Sequence, residues 1–456
     1  MICDAFVAEI GSTTTVLSAF SGLDEPHPKF LGQGSAPTSI VQGDVTIGLH
    51  EALAQLKDKL NVTDLEARET FACSSAAGGL KMSVHGLVYD MTVKAAKEAA
   101  LGAGANLKLI TSGVLTPIDL EKIKNLGLNI IMIAGGVDFG ETKTALTNAY
   151  AIAKLQLNIP IIYAGNIQIQ DEIKAIFKNA DQARQLYVID NVYPRIDVLN
   201  TEEARTIIQR VFESHITKAP GMDRVRTMIK DTIIPTPGAV MEASIRLQAS
   251  LGDLVTLDVG GATTDVHSVA APSPEVEKIL VAPEPFAKRT VEGDLGVYLN
   301  KDNLVQAIGI DRIAHDLDVS QDTVMMWLDD YPPIPDPIHA PLVTRLLQHA
   351  VDTGLDRHAG RYISLYGSSG KTKVAEGKDL TNVRYIILTG GALTRLSGGA
   401  DIIRTTLKNH GAFRLYPLTE TPVLIDHDYI MAACGVLAKK HPEAAMNLLK
   451  QSLRIG

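Results

Sequence analysis

The sequence predicts an α/β protein. Short β-branched apolar runs alternate with longer helical segments along the chain. A strand–turn–strand pattern stands near residue 10 and again near residue 260. Between 105 and 215 a strand and a helix recur about every 28–30 residues, the mark of a parallel sheet with crossover helices.

Composition agrees with several folded cores. The chain has 456 residues, 46% hydrophobic and 21% charged, and a domain commonly takes roughly 100–200 residues. The net charge of −9 offers no basic field for a nucleic-acid backbone, so nucleic-acid binding is not expected. Cys3, Cys73 and Cys434 are far apart with no CxxC, which excludes a zinc ribbon and argues against a disulfide scaffold. The start, Met1-Ile2-Cys3-Asp4, has no signal-peptide pattern, and no apolar run approaches the roughly 18–20 residues of a membrane span. A cytoplasmic protein with no membrane partner is expected.

The first hairpin runs from Phe6 to Ile10, turns at Gly11-Ser12 and returns from Thr13 to Phe20. A helix over Val45–Leu60 follows, then a strand near Thr70–Cys73 and the small residues Ser74 to Gly79. Residues 92–104 are rich in alanine and lysine and read as helix. In the regular stretch, strand Asn129–Ile133 ends in Ala134-Gly135-Gly136, with Asp138 just beyond. Helix Thr142–Leu155 precedes strand Pro160–Tyr163, and helix Gln170–Lys178 precedes strand Gln185–Ile189. This stretch is expected to form an inserted α/β domain. After Pro235-Thr236-Pro237-Gly238 the hairpin pattern returns in Leu254–Val259 and Asp265–Val269. Tyr331-Pro332-Pro333-Ile334-Pro335-Asp336-Pro337 reads as a surface loop. Strand Arg384–Leu388 runs into Thr389-Gly390-Gly391, and a helix near 428–440 carries alanine and glycine on one face.

Three turns hold the chemical information, each following an apolar strand: Glu9-Ile10-Gly11-Ser12-Thr13-Thr14-Thr15, Asp258-Val259-Gly260-Gly261-Ala262-Thr263-Thr264-Asp265, and Thr389-Gly390-Gly391-Ala392-Leu393-Thr394. Glycine lets a ligand approach backbone N–H groups, which then bond phosphate oxygens, and neighbouring hydroxyls add donors. A carboxylate at the strand end can hold Mg²⁺ through water or orient an attacking water. One such turn is ordinary; the three in this order describe a nucleotide cage.

The turns resemble the phosphate-1, phosphate-2 and adenosine motifs of the actin-like ATPase superfamily. More narrowly, Val7–Phe20, Ala72–Leu80, Pro235–Ala243, Leu257–Val269, Arg289–Gly296 and Gly377–Leu380 with Thr389–Gly391 resemble the MutL (GlmL) family associated with glutamate mutase. The resemblance implies an actin-like ATPase fold with two ribonuclease-H-like halves and an inserted α/β domain. The expected division is 1–104 for the first part of the core, 105–215 for the insert and 216–456 for the remainder. The 249 residues between Glu9 and Asp258 leave room for that insert. The resemblance further implies an ATP-dependent, chaperone-like reactivating factor for an adenosylcobalamin-dependent mutase, with ATP/ADP and Mg²⁺ bound. Nucleotide-driven movement would release damaged cobalamin from the mutase, and the insert is expected to contact that partner. A small-molecule kinase and a non-catalytic nucleotide-binding scaffold are the alternatives.

By motif position, Gly11, Ser12, Thr13 and Thr14 would line the phosphates from one side, and Gly260, Gly261, Thr263 and Thr264 from the other. Asp258, with Glu9 across the cleft, is the candidate for Mg²⁺, and Asp265 for the hydrolytic water. Gly390 and Gly391 would pass close to the nucleoside. Glu292 is a candidate for a ribose hydroxyl, although Glu292-Gly293-Asp294 also suits a helix cap. Glu9 departs from the superfamily's usual aspartate and reaches one methylene farther, which points to slow hydrolysis. Gly367-Ser368-Ser369-Gly370-Lys371-Thr372 imitates a Walker A loop, but Leu365 stands where the first glycine is required and no clear preceding strand is read.

Overall fold

The structure, a computed structural model, describes residues 1–456 except 77–79, 103–104, 197, 217–219, 230–232, 282, 368–369, 410–412 and 456. Ala77, Gly78 and Gly79 of the small-residue run, and Ser368 and Ser369 of the Walker-like stretch, lie outside the described residues. The chain divides into two compact units, Met1–Ala76 with Thr217–Gly456, and Ala77–Ile216.

The first unit begins with β1 (Ile2–Ile10), β2 (Thr14–Ser21) and β3 (Lys29–Pro37), an antiparallel meander. The helix Thr46–Leu60 crosses over to β4 (Glu66–Ser74), which lies parallel to β1. That crossover needs an amphipathic helix, and Ala52 and Leu56 supply its buried stripe.

The second unit is a parallel sheet in the order β6-β5-β7-β8-β9. Its strands are β5 (Leu80–Gly86), β6 (Ala105–Ser112), β7 (Ile130–Ile133), β8 (Ile161–Tyr163) and β9 (Leu186–Val188). The core is the apolar run of each strand, Ile131, Ile133, Ile161 and Tyr163, packed against Ile123, Ile152, Ile173 and Phe177 of the helices. The unit starts before the 105 expected from the sequence. Its first strand in the chain, β5, lies between β6 and β7, reads Leu-Lys-Met-Ser-Val-His-Gly and lacks the continuous apolar run of a buried parallel strand. Ser83 and His85 are buried there because they satisfy each other: His85 Nε2 lies 2.9 Å from Ser83 Oγ and Nδ1 2.8 Å from Thr111 Oγ1.

The chain then returns to the first unit. β10 (Ile234–Pro235) pairs parallel to β4 and completes a sheet in the order β10-β4-β1-β2-β3. The helix Thr236–Leu251 leads into β11 (Leu254–Val259), β12 (Thr264–Val269) and β13 (Ala287–Glu292), a second antiparallel meander. β14 (Arg361–Gly367) and β15 (Gly370–Glu376) form a separate hairpin. β16 (Tyr385–Thr389) and β17 (Val423–Ile425) then add parallel to β11, giving the order β13-β12-β11-β16-β17. Both sheets therefore share one plan: a meander of three strands, then two parallel strands beyond the first. That is the ribonuclease-H-like order, present twice, and the unit has the actin-like ATPase fold.

Two helices join the halves. Thr236–Leu251 and Met431–Leu437 share a core with Ala5, Val7 and Phe71 of the first sheet and Leu254 and Ile387 of the second. They approach so closely that a Cβ on Gly435 would stand 1.9 Å from the carbonyl oxygen of Ala239. The glycine that the sequence places on this helix face is thus required by backbone contact. The Walker-like stretch is preceded by a strand, contrary to the sequence reading. Lys371 and Thr372 nevertheless lie within β15, so the described residues of the stretch do not lead into the helix that a phosphate loop requires.

Candidate functional site

The two meanders carry their first turns to one cleft within the first unit. In the first turn, Gly11 N–H donates to Thr14 O at 3.0 Å; in the second, Gly260 N–H donates to Thr263 O at 2.9 Å. Each turn is tied from behind by the segment that follows its third strand. Thr38 N–H donates to Thr13 O (2.8 Å) and Thr38 Oγ1 to Gly11 O (2.9 Å). On the other side Val297 N–H donates to Gly260 O (3.2 Å) and Tyr298 N–H to Gly261 O (2.9 Å). Ser74 and Ser75 hold the first turn too: Ser12 Oγ donates to Ser75 O (2.9 Å) and Ser74 Oγ to Ile10 O (3.0 Å). The turns meet at their tips, where a Cβ on Gly261 would stand 2.8 Å from Thr13 Cγ2.

Of the residues expected from the sequence, Glu9, Gly11, Ser12, Thr13, Thr14, Asp258, Gly260, Gly261, Thr263, Asp265 and Gly391 line this cleft. Thr264, Gly390 and Glu292 do not. Thr264 is fully buried and its hydroxyl donates to Leu295 O at 2.8 Å. Gly390 lies behind the acid, its φ is +85°, and a Cβ there would come 2.4 Å from Asp258 Oδ1, so it is glycine for packing and backbone geometry. Glu292 is turned to Arg357, whose Nη1 lies 2.6 Å from its Oε2, and Asp294 receives the same guanidinium in two bonds of 2.8 and 2.9 Å.

The cleft floor is acidic and largely buried. Glu9 (4% exposed) and Asp265 (2%) are buried, and among the described residues Glu9 Oε1 and Asp265 Oδ1 have no hydrogen-bond partner. Burial, then the charges of Asp258 and Asp426, pushes the Glu9 carboxyl up to about 8. Burial and Asp426 push Asp258 up to about 7. Asp265 is held well above the usual carboxylate range by burial and by Asp258, partly offset by Arg289 and the Thr263 hydroxyl. Orphaned carboxylate oxygens of this kind fit a hard cation. Among the described residues no group of three or more His, Cys, Asp and Glu side chains could hold a metal ion by itself. The donor set therefore suits Mg²⁺ keeping most of its own waters, with Asp258 and Glu9 as outer partners.

Sequence reasoning missed several lining residues. The Pro-rich stretch is not simply a surface loop. Tyr331 is buried, its hydroxyl donates to Val297 O at 2.8 Å, and Pro333, Ile334 and Pro335 border the cleft. Arg395 and Tyr429 also line it, the guanidinium carbon 5.5 Å from the Tyr429 ring centre, with Arg395 Nη2 donating to Gln33 Oε1 at 3.1 Å. Asp426, immediately after β17, is fully buried and accepts from Thr389 Oγ1 (2.9 Å) and the Met431 N–H (2.9 Å). A carboxylate at the carboxyl end of β1, β11 and β17 (Glu9, Asp258 and Asp426) was the available signal for it. The arrangement can receive a polyanion on the N–H groups of two facing turns, above carboxylates that a cation would discharge. Among the described residues no helix is long and apolar enough to cross a membrane.

Comparison with known proteins identifies a family. The family described as MutL protein matches residues 5–453. Protein MutL of Clostridium tetanomorphum is 35% identical over 472 aligned positions, covering 99% of each chain. Among solved structures, a nucleotide-free acetone carboxylase aligns over 95% of this chain and 70% of its own at 12% identity, TM-score 0.41. Diol dehydratase-reactivating factor in nucleotide-free form aligns over 96% of this chain and 100% of its own at 12% identity, TM-score 0.38. Those structural likenesses are distant, and strand order carries the fold assignment. The family match spans both hairpin turns, the intervening unit and the C-terminal helices, and the chain belongs to the MutL family.

Proposed function

We propose that the chain is an ATP-dependent, chaperone-like reactivating factor for an adenosylcobalamin-dependent mutase, glutamate mutase or a related aminomutase. The observation that carries the reading is the meeting of two equivalent turns over two buried carboxylates, Glu9 and Asp265, with the half-buried Asp258 beside them. Membership of the MutL family supports it.

In this reading Gly11–Thr14 and Gly260–Thr263 receive the β- and γ-phosphates on their N–H and hydroxyl groups. Asp258 and Glu9 would hold Mg²⁺, which would supply positive charge against the phosphate oxygens. Gly391 and the wall of Val297, Tyr298 and Leu396 take the nucleoside. Asp265 orients a water. As the water oxygen bonds to the γ-phosphorus, the bond from that phosphorus to the ADP oxygen breaks and Asp265 accepts the water's proton. A nucleotide that touches both turns favours the arrangement in which they meet, and its loss releases that preference. The output is then a shift of population at the partner.

The test uses glutamate mutase inactivated by loss of its adenosyl group, with fresh adenosylcobalamin. Recovery of mutase turnover that requires both this chain and ATP is the expected result. Recovery without ATP, or none with any of the glutamate, ornithine and lysine mutases, would contradict the proposal.

A further inference from the structure

Every loop at the carboxyl edge of the second unit's parallel sheet exposes a large apolar side chain. Tyr89 follows β5 (54% exposed), Val114 follows β6 (56%), Phe139 follows β7 (76%), Ile167 follows β8 (47%) and Ile196 follows β9 (67%). Five strands at about 4.8 Å spacing set these residues along roughly 19 Å. An isolated exposed apolar residue is ordinary; one in each of five adjacent loops is not.

The loops are laced to one another. Gly113 N–H donates to Gly86 O (2.8 Å), and a Cβ on Gly136 would lie 3.4 Å from Leu87 Cδ2. Asp138 Oδ1 accepts from Ile167 N–H (3.0 Å) and from Asn191 Nδ2 (2.9 Å), while Asp138 N–H donates to Pro194 O (3.0 Å). Phe139 has φ +62°, and its N–H donates to Asn166 Oδ1 at 3.2 Å. The most exposed ring of the edge is thus held outward by a fixed and uncommon backbone conformation. Such an edge is preorganised and loses little freedom on contact.

Its charge selects what can cover it. Asp90, Glu141, Asp171, Glu172, Asp190 and Glu203 are exposed in these loops and the helical turns that follow, against Lys143, Arg195 and Lys174, the last paired with Asp171 at 3.0 Å. Acids there complement helix N-termini, yet they leave the edge negative. A second copy would set acid against acid, and a polyanion would be repelled.

We infer that this edge is a docking face for a protein surface with an apolar centre ringed by lysine and arginine. It rests on the proposed function in one respect: the partner tried first is the mutase. The probe is glutamate mutase holoenzyme, titrated against the full chain with ADP present. Variants are Phe139→Asn, which tolerates the left-handed backbone, Ile196→Ser, and Tyr150→Ser as a control on a helix away from the edge (55% exposed). The inference expects Phe139→Asn and Ile196→Ser each to weaken association about tenfold. Tyr150→Ser and all nucleotide affinities should stay within about twofold. Wild-type association should also weaken between about 50 and about 300 mM salt. Association unchanged in both edge variants overturns the docking face and leaves the ATPase reading standing. A chain that binds ADP but none of the glutamate, ornithine and lysine mutases overturns it as well. Self-association abolished by Ile196→Ser would overturn it in favour of a second copy. Loss of ADP binding by the wild type would sink the proposed ATPase function instead, and edge-dependent mutase binding would still uphold the face.

Discussion

The two phosphate turns have the same backbone and different chemistry. Register aligns Glu9 with Asp258, Ser12 with Gly261, and Val16 with Asp265. The first turn contributes the hydroxyls of Ser12 and Thr13, braced by Ser75. The second contributes two glycines that permit contact and a second carboxylate that has no counterpart in the first. A duplicated frame has thus been divided, one half gripping and the other carrying the charge for hydrolysis. Substitutions at aligned positions should therefore have unequal effects.

The largest inequality is at the tips. Gly261→Val would place side-chain carbon against Thr13, whose Cγ2 and Oγ1 both lie 2.8 Å from where a Cβ would stand, and force the turns apart. ATP affinity should fall about a hundredfold or more. Ser12→Ala, at the aligned position, loses one hydroxyl of the cleft and its bond to Ser75, worth about 1 kcal/mol, but leaves the turns in contact and should weaken ATP binding far less. Equal affinities of the two variants for ATP, measured by calorimetry, would show that nucleotide binding does not depend on the meeting of the turns.

Next comes the acid present in one half alone. Asp265→Asn should reduce phosphate release by about tenfold or more while ATP affinity stays within severalfold. Unchanged release would take Asp265 out of the mechanism. A smaller contrast lies in the first glycines. A Cβ on Gly11 would sit 2.6 Å from Thr14 O, whereas one on Gly260 would be 3.6 Å from Thr263 O. Gly11→Ala should cost about 1–3 kcal/mol in a denaturant titration, and Gly260→Ala less than about 1 kcal/mol. Similar costs would mean that the turns are not as unequal as their contacts.

The last contrast is the pH dependence contributed by Glu9. Its carboxyl is raised from 4.5 unfolded to about 8 folded. The folded state therefore holds a proton that the unfolded state has lost across that window. Its stabilising contribution is full below the unfolded value and declines as pH rises towards the folded one. Glu9→Gln should flatten the decline in melting temperature between about pH 5 and about pH 8 relative to wild type. Parallel curves would show that Glu9 does not titrate in this range.

What was legible in the sequence was whatever depends on local periodicity and turn chemistry. The hairpins with their glycine turns, the helix Thr46–Leu60 and β7, β8 and β9 of the second unit lie within a few residues of their expected positions. β5 was not legible, because a buried strand that pairs serine with histidine hides its burial. Neither was the true place of Glu292, since its motif does not reveal that Arg357, on a helix 65 residues later, captures it. Tyr331, Arg395 and Tyr429 reach the cleft through tertiary packing, and proline content alone makes 331–337 look like an outer loop. Gly390 illustrates the limit of motif transfer: the residue is where the motif requires it, but its contact is with Asp258 and not with the cleft.

The most direct test of the central claim is phosphate release from ATP by the purified chain with Mg²⁺ and no added acceptor. Slow release that requires Mg²⁺ and is lost in Asp265→Asn is the expected result. Tight ATP binding without any release would contradict the hydrolytic assignment, and no ATP binding at all would contradict the cleft as a nucleotide site.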